Sequence, residues 1–135
     1  MVVARGFLIL TGLLIAGYGL YCLFNPMILH QYTGMGLSDP TAVTEIRAMY
    51  GGLQCAMGLY LLHCGLQPSR LGQGLLVSVF VFAGLAGARA YGLAVDGGDN
   101  GYNFAATLYE AASGLVALGL LQWHGRRLPN QRVET

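Results

Sequence analysis

The sequence predicts an all-α integral membrane protein, a four-helix antiparallel bundle. Hydrophobic residues make up 55% of its 135 positions and charged residues only 10%, against about 25% charged in soluble domains. The mean hydropathy is +0.55. The apolar residues fall in long runs, each near the roughly 20 residues that cross a hydrocarbon core about 30 Å thick. Short segments rich in Asn, Asp, Gly and Pro separate the runs, and these residues end helices and turn the chain. Four crossings nearly exhaust the length, so a single transmembrane domain over residues 1–135 is expected.

The first span covers about residues 6–24 and stops at Asn25-Pro26, because proline lacks a backbone donor and biases its predecessor away from helix. Arg5 with the apolar run after it imitates a secretory signal, but no small-x-small cleavage site follows, so the span reads as a permanent helix. A loop to about Ser38 leads to Asp39-Pro40, an N-cap with proline at the first helical position. The second span, about 44–66, is entered through Thr41 to Thr44, a turn that rises through the headgroups. Gln67-Pro68-Ser69-Arg70 is a tight polar turn and makes the second and third spans antiparallel neighbours. The third span covers about 71–95. The stretch 96–101, Asp-Gly-Gly-Asp-Asn-Gly, turns the chain into the fourth span, about 102–123, which ends at His124-Gly125-Arg126-Arg127.

Every basic residue is arginine. Arg5, Arg70, Arg126, Arg127 and Arg132 fall on one side of this arrangement and Asp96 and Asp99 on the other, so the positive-inside rule places both termini in the cytoplasm. Tyr21, Tyr32, Tyr91 and Tyr102 then lie toward the outer interface and Trp123 near the inner one, as aromatic belts do. The net charge is +1 and no basic run occurs, so nucleic acid is not an expected partner. Cys22, Cys55 and Cys64 form no CxxC pair and read as small packing residues. Gly84, Ala88 and Gly92 in the third span have small-xxx-small spacing, and Gly51 and Gly58 mark one face of the second; both patterns predict close helix packing.

Four ionisable residues, Glu45, Arg47, Arg89 and Glu110, lie inside or at the edge of these apolar spans. A charge facing lipid is disfavoured by at least a few kcal/mol, which makes the group the first place to seek function. Chain direction puts Arg47 and Arg89 at similar depth and Glu110 slightly deeper, all in the outer half. Arg47, Gly51, Gln54 and Gly58 follow i, i+4, i+7, i+11 spacing, and so share a face on a regular helix. Ala106, Glu110, Ser113 and Ala117 form a comparable face, as do Ser78, Phe82, Leu85 and Arg89. Combined, these faces predict an outward-opening cleft with Arg47 and Arg89 against Glu110, Gln54 near its floor, and Tyr18, Tyr50 or Tyr109 as hydroxyl donors. Glu45 lies about 160° around the helix from Arg47 and is expected at the rim. Asp96 is a further candidate to balance charge. Two guanidiniums facing one glutamate suit a ligand with an acidic head and an apolar tail.

His63 and His124 fall near the cytoplasmic ends of their helices, where the two could approach each other, but lack a carboxylate or cysteine at ligand spacing; His30, in the first outer loop, has no evident ligand partner. No nucleophile elbow, P-loop, dinucleotide fingerprint or zinc motif occurs, so no catalytic residue, metal or cofactor is assigned. The expected function is binding of a membrane lipid or another lipophilic or acidic small molecule. The alternatives are a structural or auxiliary subunit of a larger membrane complex and a quinone- or haem-linked redox subunit; self-association is left open.

The run Glu45-Ile46-Arg47-Ala48-Met49-Tyr50-Gly51-Gly52, followed by Ala88-Arg89, Asp96-Gly97 and the helix of Glu110, resembles a bacterial membrane family catalogued as domain of unknown function 4345. The resemblance extends from the first span to the fourth. It implies a small four-helix inner-membrane protein and supplies no established activity. The architecture is also similar to the DoxX-like group, some members of which are small subunits linked to quinone redox systems; this chain lacks a plausible cofactor motif, and shared architecture is weak evidence for shared function.

Overall fold

The computed structural model describes residues 2–97 and 101–127. The expected placements of Asp99 and Arg132, and of the Arg127 side chain, lie outside what it describes. Helix α1 (Val2–Phe24) ends where proline predicts, with the Asn25 N–H still bonded to the Tyr21 carbonyl at 2.8 Å. The segment expected as loop contains a short helix, α2 (Ile28–Thr33). What sequence pattern could not show is that Leu29 is buried against Leu37 and Ile46, which gives this turn of helix a core of its own. It ends at Gly34, φ 70°, a left-handed cap that glycine adopts without strain. His30 Nδ1 lies 2.7 Å from the Met35 carbonyl and ties the returning chain to the helix.

Helix α3 (Pro40–Ile46) starts on the expected cap: the Asp39 side chain accepts the Thr41 N–H at 2.6 Å and Pro40 occupies the first turn. The membrane helix it begins is not regular. Arg47–Gly52 is a π-helical segment, followed by α4 (Leu53–Leu66). A short 3₁₀ turn, Pro68–Arg70, leads into α5 (Leu71–Asp96), and α6 (Gly101–Arg127) completes the described chain. Among the described residues, three helical stretches are long and apolar enough to cross a membrane: Val2–Phe24, Pro68–Asp96 and Gly101–Arg126. The segmented helix from Pro40 to Leu66 is the fourth member of the bundle. The protein is an all-α membrane protein.

The helices pack as two pairs, α1 with α4 and its π segment, and α5 with α6. Backbones touch in the first pair. A Cβ on Gly12 would lie 2.7 Å from the Gly58 carbonyl oxygen, one on Gly19 2.6 Å from the Cys55 nitrogen, and one on Gly51 2.9 Å from the Leu23 Cα. Gly51 and Gly58 therefore pack as their spacing predicts. Gly84, Ala88 and Gly92 do not: Gly84 and Ala88 are exposed, and a Cβ on Gly84 would meet nothing within 4 Å. Helix α5 instead packs through Leu71, Leu75, Ser78 and Phe82, a stripe at helical spacing that turns Gly84 away from the neighbouring helices.

At the end where α1 begins and α4 finishes, Ala4, Leu8, Leu61, Cys64, Leu71 and Leu75 form one core that joins the two pairs. Arg5 Nε donates to the Gly65 carbonyl there at 3.2 Å, satisfying the end of α4. All three cysteines are free, with Cys22 and Cys64 buried.

Candidate ligand cavity

A cavity of about 860 Å³ lies between the two pairs. Leu14, Ile15 and Tyr18 line it from α1, and Met49 and Tyr50 from the π segment. Leu53, Gln54 and Met57 contribute from α4, Phe80 to Phe82, Gly84, Leu85 and Arg89 from α5, and Tyr102, Ala106, Tyr109 and Glu110 from α6. Six residues expected at a cleft thus share its wall: Tyr18, Tyr50, Gln54, Arg89, Tyr109 and Glu110. Phe82 and Tyr109 meet edge to face, ring centroids 5.9 Å apart and planes at 85°, which sets the angle of the tyrosine at the wall.

Arg89 and Glu110 form a forked ion pair. Arg89 Nη2 lies 2.8 Å from Glu110 Oε1, and Arg89 Nε 3.1 Å from Oε2. Arg89 Nη1 also donates to Asn103 Oδ1 at 3.2 Å, and its guanidinium carbon stands 5.9 Å from the centroid of the Tyr102 ring. Glu110 is only 6% exposed, so the arginine is what allows a carboxylate to be buried there. Sequence reasoning missed Asn103 as part of this group. Its signal is its position seven residues before Glu110, two turns along the same face. Tyr102 in turn stacks on Tyr32 of α2 at 5.9 Å and neighbours the Tyr18 hydroxyl, so an aromatic cluster stands beside the ion pair.

Arg47 does not join this cluster, which corrects the predicted cleft. Its Nη1 donates to the Leu23 carbonyl at the end of α1, where Pro26 interrupts the helix and the last carbonyls lack regular partners. It borders a separate cavity of about 440 Å³ beside Tyr21, Asn25 and Gln31. The reason is helical phase. A π turn closes i→i+5 bonds and advances each residue by less than the roughly 100° of an α turn. Across Arg47–Gly52 the lag accumulates, so Arg47 and Gln54 leave the common stripe that regular spacing predicts.

Glu45 and Asp96 are exposed and border neither cavity, so neither balances charge inside. Among the described residues the large cavity holds one cation and one anion, already paired, without the surplus of positive charge expected there. His124 lies against Gly72 of α5, while His63 is on an exposed face of α4. Among the described residues, no group of three or more His, Cys, Asp or Glu side chains is placed to hold a metal ion.

Fold and cavity together define a small membrane protein built from two helix pairs around an intramembrane space. Residues 3–121 match the family model described as domain of unknown function DUF4345, and the chain belongs to that family. No curated protein and no solved structure matches it.

Proposed function

We propose that this protein holds a lipophilic small molecule, taken from the membrane, in the cavity between its helix pairs. The observation that carries the reading is the character of that space. Small-molecule sites are concave, about 300–1,000 Å³, mostly apolar, with a few converging polar groups. Here about 860 Å³ is walled mostly by aliphatic residues, Met and Phe, with Gln54, four tyrosines and the Arg89–Glu110 pair as its polar features. Binding is favoured over catalysis because the two charged groups in the cavity neutralise each other. The gathering of Arg5, Arg70 and Arg126 at one end supports an orientation with both termini in the cytoplasm and the ion pair in the outer half, and the family resemblance is what suggests a bacterial inner membrane. Reporter fusions at each terminus test that orientation.

Gly84→Trp tests the binding. Gly84 borders the cavity and a Cβ there meets no neighbour, so the indole enters the empty space without displacing the fold. Native mass spectrometry of gently extracted wild type should show a retained hydrophobic species that the folded variant has lost. A wild type that carries nothing, or a variant that retains the same species at the same occupancy, overturns the proposal.

A further inference from the structure

We infer that the cavity selects lipophiles with an uncharged hydrogen-bonding head, an alcohol, ester or amide rather than a carboxylate or phosphate, and admits them sideways from the bilayer. The inference rests on reading the cavity as a ligand site. Both Glu110 oxygens accept from Arg89, and Asn103 takes a third guanidinium donor. A guanidinium has five N–H groups, and among the described residues three of Arg89's are bonded, which leaves two for an acceptor that brings no charge. An anion reaching the same donors has to displace Glu110 or lie beside it as a second buried negative charge. Glu110 is 6% exposed, and a second carboxylate brought against it is repelled and loses hydration. Arg47 cannot relieve this, because it lies outside the cavity on the Leu23 carbonyl. A neutral head meets neither penalty and finds Gln54, Tyr50 and Tyr109 on the same wall.

The route of entry follows from the other wall residues. Leu14 is 54% exposed, Leu53 51% and Phe80 71%, and all three stand well inside their membrane helices. These exposed apolar side chains at the cavity wall lie at hydrocarbon depth, so the inferred entry is through the flank of the bundle, where a lipid tail can slide in without leaving the bilayer.

The test compares hexadecanol with hexadecanoate, which share a tail, on wild-type protein in nanodiscs of zwitterionic lipid at a pH where the acid is ionised. Hexadecanol should bind at least about tenfold more tightly. Acid binding equal to or tighter than alcohol binding overturns the inference about the head while the cavity reading survives. If neither probe binds, or both bind Gly84→Trp as well as wild type, the cavity reading itself falls and takes this inference with it. Glu110→Gln keeps the shape and frees the Arg89 charge, so it should move the acid-to-alcohol ratio toward the acid by about tenfold; an unmoved ratio in folded variant also overturns the inference. Should that variant fail to fold, the wild-type comparison decides alone.

Discussion

The two helix pairs are held together by opposite means. Between α1 and α4 with its π segment the backbones touch at Gly12, Gly19, Gly51 and Gly58, with no room for a side chain. Between α5 and α6 the contact runs through the Arg89–Glu110 fork, Asn103 and the Phe82–Tyr109 edge contact. In hydrocarbon no hydrophobic force drives helices together, so a pair must gain either close dispersion contact or polar bonds that lipid cannot offer. The first solution makes a dense scaffold. The second leaves polar groups at a cavity wall.

Removing one partner of the polar pair should break the contrast most severely. Arg89→Ala leaves Glu110 buried without its counter-charge and should cost roughly 3–5 kcal/mol in denaturation measured in micelles. Arg89→Leu combined with Glu110→Leu should recover most of that loss, because no charge is left buried. A double variant as unstable as the single one contradicts the view that mutual neutralisation is what the pair supplies to the fold.

The glycine scaffold should be nearly as sensitive. In Gly58→Ala the new Cβ would lie 2.6 Å from the Gly12 carbonyl oxygen, which forces the helices apart. Such overpacking costs about 1–3 kcal/mol. Gly84→Ala enters open space and should be neutral or stabilising by about 0.5–1 kcal/mol, from helix propensity alone. Thermal melts that show equal losses for both would erase the distinction between the packed face and the cavity face.

Arg47→Gln sharpens the comparison from outside. It removes an exposed guanidinium whose described hydrogen bond is to one backbone carbonyl, so the expected loss is about 1 kcal/mol or less. Occupancy of the large cavity in native mass spectra should not change; a loss of occupancy would return Arg47 to the binding site.

The smallest effect is expected at Asp39. Hydrogen bonding from Thr41 holds its carboxyl below the usual aspartate range. With the folded-state value depressed, its contribution is full above the unfolded aspartate pKa and is lost as pH falls through the lower folded value. Asp39→Asn keeps an N-cap without a titrating group, so its stability should lack that acid-dependent step. Parallel acid titrations of the two proteins, followed by melting temperature, check this; identical profiles would remove the cap's ionised form from the account.

Much of this was legible from sequence because the signals are local. Proline at position 26 predicts the end of α1, Asp39-Pro40 the start of α3, and Gln67 to Arg70 a turn. Arg89 and Glu110 meet as depth and helical face predict. The position of Arg47 is not legible, because helical face follows from one angle per residue and a π segment changes the sum. Helix α2 is not legible, because six residues show too little periodicity to reveal that Leu29 has a core to enter.

By itself the sequence determined a helical membrane protein with four apolar segments, their turns and the rough depth of each charge, since hydropathy and turn chemistry act over a few residues. Only the tertiary structure decided which glycines bring backbones together, which arginine faces the cavity and whether its charge is neutralised. Those outcomes depend on contacts between distant segments, such as Arg47 with Leu23, and on helical phase carried through a π turn that regular spacing does not anticipate.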